Sequence, residues 1–85
     1  RGAYSGVYEN RYYGRVTVRP GAGDGLVVRL GRGEALRCVP WSADIWRDTG
    51  SGTAAVFAAR GGRVQAVTLT LLTFDGRRGA FARVD

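Results

Sequence analysis

The chain has 85 residues of which 45% are hydrophobic, enough for one core and too few for two, so it is read as a single small domain over 1–85. All 13 basic residues are arginine against 7 acidic ones, giving a formal net charge of +6, and Lys, His and Met are absent. Without lysine there is no Walker P-loop, Schiff base or Ser-x-x-Lys dyad; without histidine there is no Ser-His-Asp or Cys-His catalysis and no His-ligated zinc.

The segment around Gly2 to Ser5 allows one turn of helix, and everything after it reads with period two. Val16 and Val18 alternate with Arg15, Thr17 and Arg19; Leu26, Val28 and Leu30 alternate with Val27, Arg29 and Gly31. Leu36 and Cys38 share a face opposite Arg37, and Ile45 to Arg47, Ala54 to Ala59, Arg63 to Leu71 and Ala80 to Val84 continue the series. The connectors are hairpin signals: a glycine-rich loop at Gly21 to Gly25, a tight turn at Gly31-Arg32-Gly33, a two-residue turn at Gly61-Gly62 and a type I′ signal at Asp75-Gly76. The expected fold is all-β, a small antiparallel meander of roughly seven or eight strands that curls into a barrel and so removes its edges.

Several patterns carry less chemistry than they suggest. Tyr8-Glu9-Asn10 matches the Tyr-x-Asn box of serine β-lactamases, but the partner boxes need a lysine that this chain lacks. Ser5, Ser42 and Ser51 are the only serines, and none sits in Gly-x-Ser-x-Gly. The Gly21 to Gly25 loop has no following helix to offer a phosphate, and Asp44 and Asp48 read as solvated or turn-capping residues. Cys38, lying among Leu36, Val39 and Trp41, is a small buried hydrophobe without a disulfide partner. Arg11, Tyr12, Tyr13 and Arg15 interleave as in nucleic-acid binders. The arginines are nevertheless spread over polar-facing positions of every strand, as in a solvated face written in the codons of a GC-rich bacterium, so nucleic acid is disfavoured as a partner. No catalytic residue, cofactor or metal site is expected. No apolar run approaches the ~18 residues of a membrane span, and no leader is visible. A start at Arg1 rather than Met is expected of a fragment of something longer.

Tyr4-Ser5-Gly6-Val7-Tyr8-Glu9-Asn10, followed by Gly14-Arg15-Val16-Thr17-Val18, resembles the opening of the DUF3471 family. The likeness continues through Leu26 to Gly31, through Leu36 to Arg47 with Trp41, Asp44, Trp46 and Arg47 at matching places, through Val64 to Leu69, and through Phe81 to Val84. It departs at Pro40 and Ser42, where the family commonly has histidines, and at Trp46, which stands for its aromatic before the arginine. The resemblance implies a lipocalin-like β domain that follows the catalytic domain of bacterial serine hydrolases of the β-lactamase-like class C type. On that reading this chain is a non-catalytic C-terminal module whose partner is the catalytic domain of the same polypeptide, exported to the periplasm or medium if a missing N-terminal part directs it. The alternatives are a free-standing lipocalin-like binder of a small molecule and, behind it, a basic nucleic-acid-binding barrel.

The residues themselves suggest roles. Tyr4 and Tyr8, with a bend at Gly6, are expected to cover one end of the barrel, their hydroxyls reaching water or backbone. Asn10 is expected to bond its own turn backbone ahead of Gly14, making a structural corner from the first strand to the second. Trp41, Trp46 and Arg47 form the candidate interface, on a segment that Pro40, Ser42 and Ala43 make an irregular excursion at a barrel end. A small barrel has room for one tryptophan ring in its middle; which of the two is core stays open.

Overall fold

The computed structural model describes residues 3–33, 35–70 and 79–85. Eight antiparallel strands follow one another: β1 Gly6–Asn10, β2 Gly14–Pro20, β3 Leu26–Leu30, β4 Ala35–Ser42, β5 Ile45–Asp48, β6 Ala54–Arg60, β7 Arg63–Leu69 and β8 Ala80–Arg83. Each pairs with its chain neighbours, and β8 pairs back onto β1 through Tyr8↔Arg83 and Glu9↔Ala82, so the meander is a closed barrel with no unpaired edge. Among the described residues there is no α-helix. The Asp75-Gly76 turn, Leu71 and Gly2 lie outside the described residues.

The hydrophobic alternation sets which residues face inward. Tyr8, Val16, Val18, Leu26, Val28, Cys38, Trp46, Ala55, Phe57, Val64, Val67, Leu69 and Phe81 form one buried cluster. Register turns these residues into rungs: Phe57 lies opposite Val67, which lies opposite Phe81, and Leu26 lies opposite Cys38. Full burial of one such side chain stabilises the fold by roughly 1.5–3 kcal/mol. The two-residue turn at Gly61-Gly62 has φ of 60° and 78°, the doubly positive geometry that a type I′ hairpin requires and that glycine adopts without strain.

Two sequence expectations are corrected here. The Trp41 to Arg47 segment is no loose excursion: β4 runs to Ser42, turns, and β5 begins at Ile45. Its irregularity is confined to a bulge, since Pro40 pairs with Trp46 and Ser42 with Ile45, leaving Trp41 as the extra residue. A bulge is also one of the few strand sites that tolerate a proline such as Pro40.

The arginines are not all on solvated positions either. Arg83 alternates with Phe81 onto the inner face, and its side chain is only 14% exposed. Its guanidinium donates to the carbonyls of Ala3, Ser5 and Val64 and to the Asp85 carboxylate, closing one end of the barrel over the Tyr8 ring.

Candidate docking surface

The residues read as a structural corner serve the fold. Asn10 accepts from the backbone N–H groups of Tyr12 and Tyr13 at 2.6 and 3.1 Å, while its amide donates to the Ala80 carbonyl at 2.6 Å. It therefore ties the β1–β2 corner to β8, a reach its position in the chain does not reveal. Gly14, at the end of that corner, has φ of 89°. A Cβ at Gly6 would lie 2.8 Å from an Asp85 carboxylate oxygen and 3.1 Å from Arg83 Nε, both at the ends of side chains that can shift. No positive φ marks a bend at Gly6.

Tyr8 is fully buried within the core and does not cover an end of the barrel. Its hydroxyl donates to the Tyr4 carbonyl at 2.8 Å, and burial pushes its pKa up against the opposing pull of Arg83. Tyr4 packs edge-on against Trp46 and Phe57, with ring centroids 4.5 and 4.8 Å away. Its hydroxyl donates to Asp44 at 2.7 Å, which raises the tyrosine pKa. Asp44, half-buried in the β4–β5 turn, thus ties that turn to the segment before β1, and its carbonyl also accepts from Phe57 N–H. Asp48 caps its turn as expected, accepting from the Ser51 amide and hydroxyl, bonds that hold its carboxyl below the usual range.

The three candidate interface residues part company. Trp46 is 7% exposed, packs on Tyr4 and Phe57, and donates its indole N–H to the Asp24 carbonyl at 3.2 Å. It is core, so its assignment to an interface is withdrawn: desolvation by its aromatic neighbours leaves it little to offer a partner. Trp41 is the opposite case, 61% exposed because the bulge holds it off the ladder. Arg47, opposite Val39 in register, lays its guanidinium carbon 4.4 Å from the centre of the Trp41 ring. Its Nε is buried without a hydrogen-bond acceptor.

This pair sits beside a basic sheet face. Val39 is exposed on β4, and the outward positions of β2, β3 and β4 hold Arg19, Arg29 and Arg37. Among the described residues none of these arginines, nor Arg47, makes an ion pair; Glu9 is taken by Arg15 at 2.7 Å and Asp85 by Arg83 at 3.1 Å. Two surface cavities open here, of about 300 Å³ between Thr17, Arg19, Val27 and Arg29, and of about 150 Å³ between Ala22, Leu26, Val27, Arg37 and Val39. The arginines were visible in the sequence as outward positions on successive strands; their convergence depends on register. Compared with known protein families, with curated proteins and with solved structures, the chain matches none.

Proposed function

We propose that the chain is a non-catalytic accessory domain that docks through Trp41 and Arg47 onto the catalytic domain of its own polypeptide, a β-lactamase-like serine hydrolase on the reading that the DUF3471 likeness implies. The observation that carries this is the exposed Trp41 ring under the Arg47 guanidinium. Tryptophan and arginine are the residue types that most often anchor interfaces, through large buried area and forked hydrogen bonds. A ligand inside the barrel is disfavoured because Tyr8, Trp46, Phe57 and Phe81 occupy the interior.

The test compares Trp41→Ala and Arg47→Ala in the isolated chain and in the full-length polypeptide. The isolated chain should melt within about 3 °C of the parent, the shift expected from a loss under about 0.5 kcal/mol in a domain this small. The full-length protein should lose interdomain stabilisation or change activity. If Arg47→Ala unfolds the isolated chain, or both variants leave the full-length protein unaltered, the docking assignment is wrong.

A further inference from the structure

Three arginines surround one valine on the outer face. Arg19 on β2 pairs with Val27 on β3, which pairs with Arg37 on β4, so two guanidinium-bearing residues flank Val27 in one rung. Arg29 lies two residues further along β3, opposite Thr17. At a strand spacing of about 4.8 Å and a rise of about 3.3 Å per residue, the outer pair stands roughly 10 Å apart and Arg29 roughly 7 Å from Val27. Those separations are within the reach of arginine side chains, so the three charges can meet over a single bound group.

Like charges brought together without a counter-charge oppose folding. Among the described residues no carboxylate pairs with any of the three. The concavities beside them differ in character. The larger, about 300 Å³, presents Arg19, Arg29 and the Thr17 position, two forked donors that suit a phosphoryl group and a residue with a hydroxyl. The smaller, about 150 Å³, presents Ala22 and Val39 with Arg37 at its side, above the buried Leu26 and Cys38. Both are bounded by Val27.

We propose that this face binds a small phosphate monoester with an apolar body: the phosphoryl group lies between Arg19 and Arg29, and the body crosses Val27 into the hollow by Ala22 and Val39. Arg37 adds a third positive charge beside the body. The site is separate from the Trp41 and Arg47 pair and does not rest on the docking reading.

Phenyl phosphate is the probe, titrated into the isotope-labelled chain at low ionic strength, with inorganic phosphate and phenol as head-only and body-only controls. Backbone signals of Thr17, Val27 and Val39 should shift together and saturably. The Arg19→Gln/Arg29→Gln double variant should bind about tenfold or more weakly, a loss of about 1.4 kcal/mol. Arg60→Gln, at the end of β6, should bind as the parent does, and inorganic phosphate should bind more weakly than phenyl phosphate. Equal affinity in the double variant, or shifts spread over arginines all round the barrel, would overturn the site. Phenol binding as well as phenyl phosphate would overturn the role of the charge. A short single-stranded oligonucleotide that outcompetes phenyl phosphate at equal phosphate concentration would replace the small-ligand reading with a nucleic-acid one.

Discussion

Arg83 and Ser5 are 78 residues apart in the chain and joined by a hydrogen bond of 2.8 Å from guanidinium to carbonyl. The same guanidinium reaches Ala3 and Val64, so one side chain gathers the start of the chain, β7 and β8 at one end of the barrel. Arg83→Met should lower stability by roughly 2–3 kcal/mol, since it leaves several carbonyls short of a charged donor. Arg83→Lys should recover only part, because an ammonium lacks the planar fork that serves three carbonyls and a carboxylate. Urea midpoints decide it, and a midpoint unchanged in Arg83→Met would remove the closure role.

Asn10 uses both ends of its amide, as acceptor to the corner and as donor to Ala80. Asn10→Ala should cost about 1–2 kcal/mol, and Asn10→Asp less, since the acceptor survives while the bond to β8 is lost. Equal urea midpoints for the two variants would show that the β8 contact, not the corner, carries the stabilisation.

The two tryptophans should separate cleanly. Trp46→Ala opens a cavity among Tyr4 and Phe57 and should cost about 3–5 kcal/mol. Trp41→Ala removes only an exposed stacking contact and should cost at most about 0.5 kcal/mol. Thermal unfolding of both variants checks this, and a larger loss at Trp41 would return that residue to the fold.

Burial, with a smaller push from Asp48, raises the Cys38 thiol from 9.0 to about 11. A group whose folded pKa is raised stabilises fully below its unfolded value and loses that contribution as pH climbs through the folded one. Stability should therefore fall between pH 9 and pH 11, and Tyr4 and Tyr8, raised in the same direction, extend the loss at the alkaline end. At neutral pH the thiol should resist a disulfide reagent until the chain unfolds. Cys38→Ala should flatten the decline between pH 9 and pH 11, and an unchanged profile would place its cause elsewhere.

Much of the barrel was legible because strand periodicity and turn chemistry are local. Val16 and Val18, Leu26 and Val28, and Val67 and Leu69 alternate with the less buried Thr17, Val27 and Thr68, and Gly61-Gly62 announces its own hairpin. From these alone follow an all-β fold, its meander order and most of its core. The Asn10 corner was legible for the same reason, since two of its bonds go to residues only two and three positions away.

Only the closed barrel decided the rest, because alternation says that a strand has two faces and not what each face meets. Trp41 and Trp46 are equally large and apolar in sequence; the bulge at Trp41 and the aromatic pocket of Tyr4 and Phe57 assign one to solvent and the other to the core. Arg83 shares the phase of Phe81, which as a local rule would bury a charge without partners. It is stable there because closure of β8 onto β1 brings the carbonyls of Ala3 and Ser5, and pairing with β7 that of Val64, to its guanidinium. Register likewise sets Arg19 and Arg37 on either side of Val27, an arrangement of charges that exists only once three strands have paired.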